Sequence, residues 1–224
     1  MSNTDTLLQS KLQDVEAADS AQSMLDAVED LAAIKHEGAI DMLIRVLGYN
    51  NPGAAVAAVD GLIQIGTPAA SALLSQIDGY NYGARAWALR VLAGIGDPRG
   101  RDLILETAAE DFSLSVRRAA ARGLGKIQWE KLSEQERQAG QIKARETLLH
   151  VASEDVEWVV RYAAVVGLEG LAKAMVIDNK RDLAAPILGG LQDRIDQDEV
   201  PTVQARAQWA LEKMNATAER VCCS

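Results

Sequence analysis

The stretch Val116-Arg117-Arg118-Ala119-Ala120-Ala121-Arg122-Gly123-Leu124-Gly125-Lys126-Ile127 carries the pattern that decides the fold. Ala120, Leu124 and Ile127 stand at −4, 0 and +3 about the leucine, which places them on one face of an α-helix. The alanine lets a neighbouring helix come close, and the leucine and isoleucine fill the seam. The same triplet recurs five times: Ala27-Leu31-Ile34, Ala58-Leu62-Ile65, Ala88-Leu92-Ile95, Ala164-Leu168-Leu171 and Ala207-Leu211-Met214. The anchor leucines are 31, 30, 32, 44 and 43 residues apart. Recurrence at that period marks a repeat architecture, in which no unit buries its apolar face alone. We name the helices that hold the triplets A-helices. Shorter amphipathic segments at 39–47, 68–77, 98–109, 138–152 and about 184–195 lie between them. Gly66-Thr67-Pro68 and Gly96-Asp97-Pro98 have the Gly stop and Pro start of consecutive helices. The two longer spacings imply insertions near 128–140 and 173–183. The fold expected is all-α: a right-handed α-solenoid of about six helix pairs with a concave surface. Leu7, Leu8, Leu12 and Val15 predict an N-terminal capping helix in residues 1–20, with 21–224 forming one continuous repeat domain.

Composition agrees. The 224 residues are 48% hydrophobic but only 4% aromatic, and carry a formal net charge of −9. Small side chains at close spacing suit helix-on-helix packing. The acidic balance argues against binding a phosphate backbone. Two histidines far apart, and two cysteines adjacent at the C-terminus, give no metal-ligand spacing and no disulfide framework. No apolar run reaches the roughly 18 residues that span a membrane, and the polar N-terminus does not read as a signal peptide. A cytoplasmic protein with neither nucleic-acid binding nor membrane insertion is expected.

Against the acidic total, Arg85, Arg90, Arg99, Arg101, Arg117, Arg118 and Arg122 crowd into a span without lysine. Helical phase divides them. Arg85 and Arg117, with Arg161, lie seven residues before their anchors, near the apolar face, where a repeat-to-repeat ladder with Asp or backbone carbonyls is the plain expectation. Arg90 and Arg122 at −2, and Arg118 at −6, point about 120° or more away from the core, where they either line the concave face or are solvated. Of the rings, Tyr80, Tyr82, Trp87, Trp158 and Tyr162 lie on or near A-helices. Trp87 and Trp158 also suit core or an interface, and Trp129 and Trp209 suit it better. Asp97 reads as an N-cap, or as a carboxylate that accepts hydrogen bonds from ligand N–H groups.

Segments 111–127 and 155–171, with Asp, Val-Arg (Val116-Arg117; Val160-Arg161), Ala-Ala and Gly-Leu in register, resemble HEAT-type repeats, and Gly96-Asp97-Pro98 fits the bilin-lyase subtype. Tyr80-Asn81-Tyr82-Gly83-Ala84-Arg85-Ala86-Trp87-Ala88-Leu89-Arg90 resembles one family, the F (β) subunits of the E/F-type phycobilin lyases, specifically those for the phycocyanin α subunit. The resemblance covers nearly the whole chain. It implies a heterodimer with a homologous E (α) subunit that attaches phycocyanobilin, as substrate and not cofactor, by a thioether to a cysteine of the phycocyanin α subunit. Isomerising relatives carry His-Cys where this chain reads Tyr80-Asn81-Tyr82-Gly83, so no isomerisation is expected. The implied bilin contacts are Tyr80, Tyr82, Arg85, Trp87, Arg90, Asp97, Arg118, Arg122, Trp158 and Tyr162. No catalytic residue and no metal is assigned. The competing expectation is a non-catalytic HEAT-repeat scaffold or chaperone that binds phycobiliproteins.

Overall fold

The computed structural model describes residues 3–76, 82–177 and 181–222. Among them are twelve α-helices and no strand: α1 (Asn3–Ala17), α2 (Ala21–Ala33), α3 (Ile40–Val46), α4 (Pro52–Ile65), α5 (Thr67–Gln76), α6 (Tyr82–Ile95), α7 (Arg101–Glu110), α8 (Leu114–Leu124), α9 (Glu134–Glu154), α10 (Trp158–Ile177), α11 (Arg181–Gln197) and α12 (Pro201–Cys222). The A-helices are the even-numbered ones. Local chemistry sets their starts. Ser20 caps α2 in a capping box with Ser23. Asn51 caps α4, whose first residue is Pro52. The break after α4 is Gly66, at φ +81, a region that L side chains rarely adopt.

The chain forms two compact units that meet in sequence between Ile95 and Gly96. In the first, α1 packs on α2, α3 on α4 and α5 on α6, while α2, α4 and α6 stack in order. Leu31, Leu62 and Leu92 are buried at the seam with Ala58 and Ala88. The close approach of α2 and α4 rests on Gly61, whose added Cβ would stand 2.6 Å from that of Ala32.

The second unit repeats the arrangement: α7 on α8, α9 on α10, α11 on α12, with α8, α10 and α12 stacked. Leu124, Leu168 and Leu171 are fully buried. Gly125, Gly167 and Gly170 bring the backbones of α8 and α10 into direct contact: a Cβ on Gly125 would meet Gly167 O at 2.5 Å. Within each unit this is the two-layer stacking of a helical-repeat solenoid.

Three local expectations are corrected. Pro98–Gly100 is a 3-10 turn, and the helix expected from residue 98 begins at Arg101. The segment expected at 138–152 starts earlier, because the Ser133–Glu136 capping box opens α9 at Glu134; much of the insertion near 128–140 is thus helix. In the sixth repeat the seam is rotated. Val203, Ala207 and Ala210 are buried against α10 and α11, whereas Leu211 and Met214 are only half-buried.

Candidate functional site

An arginine ladder fixes how the A-helices of the second unit sit on one another. Arg117 on α8 pairs through Nε and Nη2 with Asp155 (2.7 and 3.1 Å) and donates from Nη1 to the carbonyl of Asp111 (2.9 Å). One repeat on, Arg161 pairs with Asp198 (2.8 and 3.0 Å) and donates to the carbonyl of Asp155 (2.9 Å). Each guanidinium therefore ties its own turn to the next, as the −7 phase predicted for these two. Burial raises the Asp155 and Asp198 carboxyls, but hydrogen bonds from the arginines and from the Glu157 and Val200 amides outweigh it and hold both below the usual carboxylate range. A depressed folded pKa contributes stability that is fully present above the unfolded value of about 4 and is lost as pH falls through the folded value. The urea midpoint is expected to hold at neutral pH and to drop below about pH 4. In an Asp155→Asn variant the midpoint should be lower at neutral pH and its acid decline shallower; an unchanged decline would contradict the ladder's role.

The opposite phase of the A-helices faces away from that core. On α8 it presents Arg118 and Arg122, with Lys126 just beyond the helix. Two adjoining grooves open here, of about 370 and 450 Å³, which share Arg122, Tyr162 and Val166. Arg118 and Trp158 complete the first, together with Thr202. Arg206, Trp209, Lys173 and Lys213 line the second. Trp158 is 43% and Trp209 47% exposed, high values for indoles. Trp209 carries two cations, Arg206 at 4.6 Å and Lys213 at 3.8 Å from its ring centroid. The grooves thus combine flat apolar walls with guanidinium forks, an environment for a planar anion. In the first unit the same face of α2 and α4 has a groove of about 500 Å³ whose charged lining is Glu29, Asp60 and Lys35, so it lacks the positive lining of the other two.

The structure brings four of the sequence-predicted residues together: Arg118, Arg122, Trp158 and Tyr162. Trp87 and Arg90 form a pair of their own on α6, the guanidinium 4.5 Å from the indole centroid. Arg85, also on α6, has a buried Nη1 without a hydrogen-bond partner among the described residues. Tyr82 opens α6; Tyr80 lies outside the described residues. Asp97, 3% exposed, accepts from the Arg99 amide (3.0 Å) and pairs with the Arg99 guanidinium (2.9 and 2.8 Å). The Arg99 side chain holds its carboxyl below the usual range. Asp97 is the N-cap of the 3-10 turn and does not line either groove.

Sequence reasoning did not single out Lys173, Arg206 or Lys213, and gave Trp209 a core or interface role, of which its exposure excludes the core. The signal was available: Trp209 stands two residues before its anchor, the position that singled out Arg90 and Arg122. Trp129 is core as expected, 2% exposed and packed on Gly140.

Fold and site together define a helical-repeat protein with a basic, aromatic groove, and residues 71–169 match the HEAT repeats family model. The chain is 50% identical to the phycocyanin alpha phycocyanobilin lyase CpcF of Synechocystis sp., over 91% of this chain and 92% of that one. It is 53% identical to a phycobilisome maturation protein of Synechococcus elongatus, over 90% and 95%. A chain in the structure of the complex of CpcE and CpcF of phycocyanin lyase from Nostoc sp. superposes with a TM-score of 0.68 at 48% identity, covering 78% of this chain and 99% of that one. The chain belongs to the family of phycocyanobilin lyase β subunits, as the resemblance of its sequence implied. Among the described residues no single helix is long and apolar enough to cross a membrane.

Proposed function

We propose that this chain is the F-type subunit of a heterodimeric, cytoplasmic lyase. Paired with an E-type subunit, it binds phycocyanobilin and joins it by a thioether to a cysteine of the phycocyanin α subunit, without isomerising the bilin. The observation that carries the reading is the convergence of Arg118, Arg122, Trp158 and Tyr162 on one groove of an otherwise acidic chain. The names of its relatives agree with it.

The chemistry asks little of side chains. The acceptor thiol adds across the exocyclic ethylidene double bond of bilin ring A: sulfur bonds to the ethylidene carbon and the thiol proton ends on the adjoining ring carbon. Atoms and electrons balance with no leaving group. The reaction needs orientation, so that one face of that carbon meets the thiolate. Arg118 and Arg122 are placed to hold a propionate through charge-assisted hydrogen bonds, and Trp158 and Tyr162 to shield the rings. Trp87 and Arg90 offer a second pairing of ring and cation on α6. The segment 80–83 contains neither His nor Cys, which supports ligation without isomerisation.

Absorbance titration of the two-subunit complex with free phycocyanobilin tests this. Arg118→Ala and Arg122→Ala are each expected to weaken binding about tenfold or more, as loss of a charge-assisted hydrogen bond implies, with Arg90→Ala also weakened; unchanged affinity in all three would refute it. Co-expression with the partner subunit, apo-phycocyanin α and bilin-producing enzymes should give a covalent adduct whose acid-urea spectrum shows the conjugated system shortened by the ethylidene bond alone. The scaffold reading finds support in the exposed Phe112 (74%) and Val156 (84%), a surface for protein docking. It predicts binding of the apo-protein with no adduct.

A further inference from the structure

The second groove contains an arginine that its neighbours leave half-used. Arg206 on α12 is 7% exposed. Its Nη2 donates to Glu169 Oε2 at 2.6 Å, whereas its Nη1 is buried and has no hydrogen-bond partner among the described residues. A buried donor without an acceptor is costly, and native structures satisfy nearly all such groups with protein, water or ligand. The guanidinium is held in place on two sides. Glu169 anchors one edge, and its ring neighbours are Trp209 at 4.6 Å and Tyr162 at 5.9 Å. Glu169 does not neutralise the groove, because Lys173 Nζ reaches it too, at 2.5 Å. Burial raises the Glu169 carboxyl, yet Lys173 and Arg206 together keep it below the usual range. Around this carboxylate the groove is lined by Arg122, Lys126, Lys173, Arg206 and Lys213, five cations against one anion. The arrangement asks for another anion, and the fork of Arg206 suits a planar one.

We propose that Arg206, with Lys213 beside it, is a second carboxylate site. Resting on the bilin reading above, it takes one propionate of the linear tetrapyrrole while Arg118 and Arg122 take the other. The two grooves adjoin through Arg122, Tyr162 and Val166, so one extended ligand reaches both, with Trp209 against its rings. Two fixed carboxylates define the direction in which the bilin lies, and so which end presents ring A to the acceptor. Glu169 acts as a positioning residue that presents the guanidinium.

The experiment compares phycocyanobilin with its dipropionate dimethyl ester, titrated by absorbance into the complex with the E-type subunit. The wild-type complex is expected to bind the free acid at least about tenfold more tightly than the ester. Arg206→Gln should weaken the free acid by a similar factor and leave the ester unchanged. Because Arg206→Gln strips a buried carboxylate of a partner, two further variants keep the outcome readable: Glu169→Gln/Arg206→Gln, which removes both members of the pair, and Lys213→Glu, which alters an exposed side chain. Both should show the same selective loss, and Arg206→Lys partial recovery. Free-acid affinity at the wild-type level in Lys213→Glu and in the double variant overturns the site while leaving the bilin reading intact. So does a loss of binding to the phycocyanin α subunit with bilin affinity unchanged, which would assign the cations to acidic side chains of the acceptor. A wild-type complex that binds neither form overturns the bilin reading itself.

Discussion

Arg161→Ala is expected to destabilise the second unit by about 3–5 kcal/mol, the cost of leaving a buried charge without its partner. Its side chain is 7% and that of Asp198 is 1% exposed, so water does not replace the lost guanidinium. Two links go at once, the paired contact with Asp198 and the donation to the Asp155 carbonyl, and with them the connection between consecutive turns. Arg161→Lys should rescue little, because an ammonium lacks the planar fork that spans both oxygens and the carbonyl. Arg161→Met/Asp198→Asn should recover much of the loss. It removes both charges, and Asn keeps an oxygen for the Val200 amide, which Asp198 accepts at 2.9 Å. Urea unfolding measures all three. A loss below about 1 kcal/mol in Arg161→Ala would place the pair among the weak surface bridges.

Gly167→Val is expected to be at least as damaging, about 3 kcal/mol or more, through a different cause. A Cβ on Gly167 overlaps the Ala121 carbonyl and stands 2.9 Å from Leu148 Cδ2, and one on Gly170 overlaps the Gly125 backbone. Backbone cannot rotate aside as a side chain can, so α8 and α10 must separate, and the seam of Leu124 and Leu168 opens with them. Gly189→Ala on α11 is the internal control. Nothing lies within 4 Å of its added Cβ, so relief of glycine's entropy cost should stabilise by about 0.5–1 kcal/mol. Equal effects in the two variants would contradict the backbone contact.

Much of this was legible in the residues. The −4, 0, +3 triplet located every A-helix, and five of its six leucines are buried. The −7 phase anticipated the ladder of Arg117 and Arg161, and the −6 and −2 phases anticipated the groove positions of Arg118 and Arg122. The misses have physical sources. Spacing gives a helix's phase only relative to its own apolar face, and α12 rotates that face toward Ala210 to fit between α10 and α11. Aromatic content biased Trp209 toward the interior, while its −2 position pointed outward. Arg206 was invisible for the opposite reason. It lies nearer the core, and its value comes from Glu169, 37 residues away and brought beside it by packing. Hydrophobic period reports faces; it does not report which charge on one face meets which on the next.

The alignment of cations across α8, α10 and α12 also bears on how quickly a ligand arrives. Successive cations on α8 are about one helical turn, ~5.4 Å, apart, less than the screening length of about 8 Å at physiological ionic strength. They act on an approaching dianion as one extended source of field rather than as separate charges. In a protein of net charge −9, that field would favour trajectories of the proposed bilin dianion that end on this face and disfavour the rest. The indole and phenol walls are insensitive to salt and set how long the visitor stays. On the proposed bilin reading, arrival and residence are thus governed by different side chains of the same groove.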